Sequence, residues 1–135
     1  MKIIRHKPQG SVTSGPYFPA VEVQEGNIRQ LFVSGQGTKN FQTGERFSGE
    51  IKGQTKVVMD NLKNVIEGSG YSMDEVVKTT IFLVNMSDFQ DVNEIYQGYF
   101  SEGQYPARST VAVKELPGGQ GIEIDAIAFK INLKK

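Results

Sequence analysis

The chain has no cysteine, a single histidine and no surplus of either charge, and these shortages exclude much of the chemistry open to a small protein. Without thiols there is no disulfide framework, no thiolate metal site and no cysteine nucleophile. The redox compartment stays open, because a cysteine-free protein survives in either environment. His6 is the only imidazole and lies close to the chain start, which argues against a Ser-His-Asp triad and removes a histidine-built metal centre. No carboxylate cluster has calcium-loop spacing. Gly35-Gln36-Gly37 offers the first glycine pair of a phosphate-cradling pattern, but Thr43-Gly44 is too distant to complete it. A catalytic site here is expected to use no metal, no cysteine and no organic cofactor, which restricts it to steps with modest barriers.

Fifteen basic residues balance fifteen acidic ones. Phosphate contacts supply most nucleic-acid affinity, so this balance argues against nucleic acid as the primary partner. The clusters Arg5-His6-Lys7 and Lys134-Lys135 read as solvated ends. The strongest apolar run, Ile81-Phe82-Leu83-Val84, is far too short to span a bilayer. Met1 to Lys7 contains no apolar signal core, so a soluble cytoplasmic protein without membrane partners is expected. The 135 residues are read as one domain, 1–135, large enough to bury a core unaided.

Periodicity then orders the chain. Val21 to Gln24 alternates and meets Gly26-Asn27, a two-residue hairpin signal, before a strand over Ile28–Gly35. Residues 37–49 read as loop. Between Glu50 and Glu67 the period turns helical, with Ile51, Val58, Leu62, Val65 and Ile66 on one face and Gly68 and Gly70 as the stop. A strand over Glu75–Asn85 follows. Ser87-Asp88-Phe89-Gln90 reads as a capping box opening a second helix, with Phe89, Val92, Tyr96 and Phe100 inward. Strands over Ser109–Val113 and Ile122–Ile131 close the chain, joined through Leu116-Pro117-Gly118-Gly119. The expected fold is α+β, a mostly antiparallel sheet with two helices on one face.

The strand near residue 80 is apolar on both sides, with Val76, Phe82 and Val84 on one and Val77, Ile81 and Leu83 on the other. Phe32, Ile127 and Phe129 also stock the face that two helices would leave bare. A second copy of the chain is the economical cover, so a homo-oligomer is expected.

Two β-patterned segments carry charges that strands seldom bury. Arg108 follows Pro106-Ala107 and is flanked by small or hydroxylic residues. It either pairs with an internal carboxylate or receives a ligand carboxylate on its planar fork. Thr110 points the same way along the strand and could share the pocket. Glu123 sits between two isoleucines, where partial desolvation would raise its pKa and suit it to proton transfer. Asp125 on the same strand face is assigned a sheet-edge salt bridge with Lys114 or Lys130. Asn93 borders the inward face of the second helix and needs partners from protein or ligand. Ser34 and Tyr17 are weaker signals, each with an ordinary turn or packing role as the alternative.

These residues together resemble a known family. Gly15-Pro16-Tyr17, Val33-Ser34-Gly35-Gln36, Val76 to Phe82, Asp88 to Tyr96, Pro106-Ala107-Arg108-Ser109-Thr110-Val111, and Leu116-Pro117 followed by Ile122 to Ala128 are similar, in order and spacing, to the Rid (YjgF-type) enamine/imine deaminases. The resemblance implies a chorismate-mutase-like single domain assembled as a homotrimeric barrel, with active clefts between adjacent subunits. It implies that Arg108 binds the carboxylate of a small imine or enamine acid such as 2-iminobutanoate or 2-iminopropanoate. Tyr17, Ser34, Asn93 and Thr110 would line the cleft, and Glu123 would assist the attacking water, giving a 2-keto acid and ammonia. Position 110 is cysteine in many members, and Phe18 replaces a common serine, which would reshape the cleft wall. A non-catalytic 2-keto acid binder and an endoribonuclease or translation inhibitor are the alternatives; the balanced charge and lone histidine argue against the last.

Overall fold

Alternation at period two lays down six strands, and one strand order explains which residues can share a site. The computed structural model describes residues 1–11 and 13–132. The strands are β1 (Lys2–His6), β2 (Ala20–Glu25), β3 (Ile28–Gln36), β4 (Val76–Leu83), β5 (Ala107–Ala112) and β6 (Ile122–Ile131). The helices are α1 (Ile51–Gly68) and α2 (Phe89–Tyr96). The strands form one sheet in the order β1-β2-β3-β6-β4-β5. Every pairing is antiparallel except β4 with β5, whose parallel register requires the crossover that α2 supplies. The α+β fold with both helices on one face is as expected.

The core lies between that face and the helices. Leu31 and Val33 of β3, Ile81 and Leu83 of β4, and Ile122, Ile124, Ala126 and Ala128 of β6 meet Val58, Met59, Leu62, Val65 and Ile66 of α1. Each of the larger side chains contributes roughly 1.5–3 kcal/mol by leaving water. Gly70, at φ 91°, ends α1 in the left-handed conformation, and Tyr71 N–H returns to Ile66 O at 3.1 Å. Gly68 stays helical and is small for a different reason: a Cβ there would meet Pro8.

Four local readings are corrected. Residues 2–6 are not a solvated tail but strand β1, where His6 Nε2 donates to Glu22 Oε1 at 2.7 Å; Lys134 and Lys135 lie outside the described residues. Asp88 caps α2 without a side-chain hydrogen bond, whereas Ser72 and Glu75 form a capping box on a 3₁₀ turn before β4. That turn (Met73–Glu75) also displaces the start of the expected strand, and β4 stops at Leu83. A bulge between Val76 and Lys78 moves Val76 to the helix side with Ile81 and Leu83 and leaves Val77 exposed.

The opposite face carries no element among the described residues. Phe32 and Phe129 are exposed on it, with Phe82 and Ile127 half-buried between them. The apolar surplus read from the sequence is therefore uncovered in one chain.

Candidate active site

Arg108 is fixed by the parallel β4–β5 register. It pairs with Thr79 and Thr110 pairs with Ile81, so both project from edge strand β5 to the helix side. There the Arg108 guanidinium lies over the rings of Tyr96 and Phe89, with centroid distances of 5.1 and 5.4 Å. Tyr96 is held in place by a 2.7 Å hydrogen bond between its hydroxyl and Thr79 Oγ1. Burial raises the Tyr96 pKa, against smaller opposing effects of Thr79 and the Arg108 charge, so the phenol stays neutral. Among the described residues Arg108 forms no salt bridge. A groove lined by Asn93, Tyr96, Gln97, Tyr105, Pro106 and Arg108 opens beside it.

Two neighbouring polar atoms stand out. Asn93 Oδ1 and Thr110 Oγ1 are buried and have no hydrogen-bond partner. Such orphaned atoms are rare in folded proteins and each costs about 1–3 kcal/mol. A guanidinium without an acid and a free hydroxyl can both donate to an external carboxylate, and the unsatisfied amide oxygen of Asn93 can accept from an N–H on the same ligand.

Glu123 belongs to a second cluster. It pairs with Phe82 across β6 and β4, while its neighbours Ile122 and Ile124 pair with Leu83 and Ile81. Its side chain therefore rises on the open face. A Cβ on Gly35 would overlap its carboxylate, so glycine at the β3 bulge gives the acid its seat. Burial, and after it Asp125, raises the Glu123 pKa. Tyr17 lines the same small cavity, its hydroxyl 3.3 Å from Ser14 N–H. Ser34 Oγ donates to Phe18 O at 2.7 Å, which ties the segment bearing Tyr17 to the end of β3.

Asp125 does not form the expected salt bridge. Strand β6 is interior, between β3 and β4, so it has no sheet edge. Burial raises the Asp125 pKa, opposed by hydrogen bonds from Thr80 and by the Lys78 charge. Lys130 instead donates to Gly70 O and lies 4.5 Å from the Tyr71 ring centroid.

The six residues singled out in the sequence thus fall into two groups. Arg108, Asn93 and Thr110 share the helix side near β5; Glu123 rises on the open face near the end of β3, where Ser34 ties down the segment whose Tyr17 lines one cavity with Glu123. Sequence reading missed Gln120, which contacts Glu123, and Thr38 and Arg46, which hold Gln120. Gln120 stands three residues before Glu123 across the turn, and its burial at 7% exposure was not encoded in any local period. Among the described residues no group of three or more His, Asp or Glu side chains could hold a metal ion, and no helix is long and apolar enough to cross a membrane.

Comparison with known proteins agrees with this architecture. The family described as endoribonuclease L-PSP matches residues 9–130. A RutC family protein of Pyrococcus horikoshii is 45% identical over 86% of this chain and 88% of its own length. A mouse protein named 2-iminobutanoate/2-iminopropanoate deaminase is 40% identical over 86% of this chain and 82% of its own. The crystal structure of the YjgF gene product of E. coli superposes with a TM-score of 0.78 at 36% identity, covering 96% of this chain and 99% of that one. With the family matched over nearly its whole length and the fold shared, the chain belongs to the YjgF/Rid family, also described as the endoribonuclease L-PSP family.

Proposed function

We propose that the protein hydrolyses small 2-imino and 2-enamino acids to 2-keto acids and ammonia, in clefts that two copies of the chain complete. The observation that carries this reading is the acid-free Arg108 guanidinium beside the unpartnered Asn93 Oδ1 and Thr110 Oγ1. The deaminase name of the mouse relative supports the choice of substrate.

The two residue groups lie on opposite sheet faces, so one small substrate cannot touch both within a chain. If the open apolar face of one copy receives the β5 edge of the next, Glu123 and Tyr17 of the first meet Arg108 of the second. Contacts between two different patches close into a ring, and a trimer is the ring that the family resemblance implies.

In that cleft Arg108 holds the substrate carboxylate through its fork, the Thr110 hydroxyl donates to the same carboxylate, and Asn93 Oδ1 accepts from the N–H of the substrate nitrogen. An enamine first becomes the imine by gaining a proton at its β-carbon and losing one from nitrogen. Glu123 accepts a proton from water as the oxygen bonds to C2 and returns it to nitrogen, giving the carbinolamine. The hydroxyl proton then passes by way of Glu123 to the nitrogen as the C–N bond breaks, so C=O forms and ammonia leaves the 2-keto acid. Imines hydrolyse readily in water, so orientation and preplaced dipoles suffice. The test is hydrolysis of 2-iminobutanoate generated in situ by threonine dehydratase. Arg108→Ala should lose roughly a hundredfold in kcat/KM, about 3 kcal/mol. Equal rates, binding of 2-keto acid without turnover, or RNA cleavage abolished by the same substitution would each contradict the proposal.

A further inference from the structure

Gln120 sits on the turn before β6 and is nearly fully buried. Its side-chain oxygen accepts three hydrogen bonds: from Thr38 N–H at 2.8 Å, Arg46 Nη1 at 2.9 Å and Thr38 Oγ1 at 3.0 Å. Backbone N–H and guanidinium can only donate, so the amide cannot flip without setting its NH₂ against them. Its orientation is thereby fixed, and the NH₂ faces Glu123 Oε1 at 3.4 Å. Gly37 makes room for this placement, since a Cβ there would sit 2.5 Å from Gln120 Oε1.

We propose that Gln120, clamped by Thr38 and Arg46, is a positioning residue that holds the Glu123 carboxylate in its working orientation and steadies its ionised form. The inference rests on the reading of Glu123 as the group that takes a proton from water. One Glu123 oxygen abuts Gly35, and the other is met by the Gln120 amide. A 3.4 Å contact is weak at rest, but catalytic hydrogen bonds commonly tighten only when substrate is bound. The charged and titratable groups around Glu123 are Asp125 on its own strand, Tyr17 from the segment before β2, and Lys39 and Arg46 from the loop after β3. Burial and Asp125 push its pKa upward, and a donor to the carboxylate opposes them.

Two charge-neutral substitutions test this: Gln120→Met removes the donor, and Thr38→Val removes one of the three bonds that orient it. In the imine assay Gln120→Met should move the acid limb of kcat upward by about half a pH unit, with kcat about threefold lower below the limb. KM should stay within about twofold, because Gln120 does not touch the Arg108 groove. Thr38→Val should move the limb the same way by less. Carboxyl ¹³C titration of Glu123 in the oligomer provides a readout independent of turnover, and the same upward shift is expected there. An unchanged Glu123 titration in folded Gln120→Met and Thr38→Val overturns the positioning role, whatever the enzyme does. A shifted titration in a protein that hydrolyses no imine supports Gln120 as the partner of Glu123 and refutes the deaminase reading alone.

Discussion

Arg108 of β5 and Glu123 of β6 project from opposite faces of one sheet. The registers that place them are continuous: Thr79 of β4 pairs with Arg108, and Phe82, three residues on, pairs with Glu123. Beyond the bulge, Thr79, Ile81 and Leu83 of β4 serve the helix side, and Lys78, Thr80 and Phe82 the open side. A substrate small enough to be gripped by one guanidinium therefore reaches both residues only where two chains meet.

Replacing Arg108 with lysine keeps the charge and loses the fork. Arg108 also lies over Tyr96 and Phe89, a stacking that a flat guanidinium suits better than an ammonium. We expect Arg108→Lys to lower kcat/KM about tenfold, with the loss mainly in KM. Steady-state kinetics on 2-iminobutanoate at constant dehydratase coupling checks this, and unaltered KM would count against carboxylate binding by Arg108.

Gly35→Ala should damage the site more than the fold. Gly35 does not have a positive φ, so alanine adds no backbone strain, but its methyl would displace the Glu123 carboxylate. The expected result is a kcat at least about tenfold lower with a Tm within a few degrees of the parent.

The raised Glu123 pKa has two consequences of known sign. As a base it works only when ionised, so activity should fall on acidification at a pH above the ordinary glutamate value of about 4.3. A carboxyl whose folded pKa exceeds its unfolded one stabilises the fold in acid and loses that contribution as pH rises through the folded value. Glu123→Gln should thus be inactive yet melt about 2 °C higher at pH 7. A pH–rate profile and calorimetry measure the two effects.

Glu22 has the opposite sign. Burial works to raise its pKa, but hydrogen bonds from His6 and Tyr71 prevail and lower it. Its stabilisation is complete above the unfolded value of about 4.3 and disappears as pH falls through the lower folded value. Glu22→Gln should cost about 1–2 kcal/mol at pH 7 and flatten the acid loss of stability. Urea denaturation at several pH values checks both, with loosening of β1 as the structural counterpart.

The open face predicts assembly. Phe32→Lys should convert the oligomer to a monomer and abolish activity together, since the cleft disappears with the interface. Sedimentation should give three times the 14.9 kDa chain mass for the parent and once that mass for the variant.

Much of this was readable from local pattern. Val58, Leu62, Val65 and Ile66 recur at helical spacing, and Gly26 at φ 60° makes the hairpin that joins β2 to β3. Arg108 and Glu123 were visible as charges where strands carry β-branched residues. What escaped depends on contacts distant in sequence. Strand β1 is held by pairing with β2 and by His6 with Glu22, sixteen residues away. The bulge at Val76–Lys78 exchanges two valines that alternation assigns the other way. Gln120 gained its meaning only from Thr38 and Arg46, and the opposed faces of Arg108 and Glu123 only from the order β6-β4-β5.

Subunit complementation tests the shared cleft most directly. Arg108→Ala and Glu123→Gln chains are each prepared inactive, then unfolded, mixed in equal amounts and refolded. If each cleft takes Arg108 from one copy and Glu123 from the next, random mixing leaves about a quarter of clefts intact, and activity should return to about that fraction of the parent. Mixed oligomers that form yet hydrolyse no imine would contradict a site built from two chains.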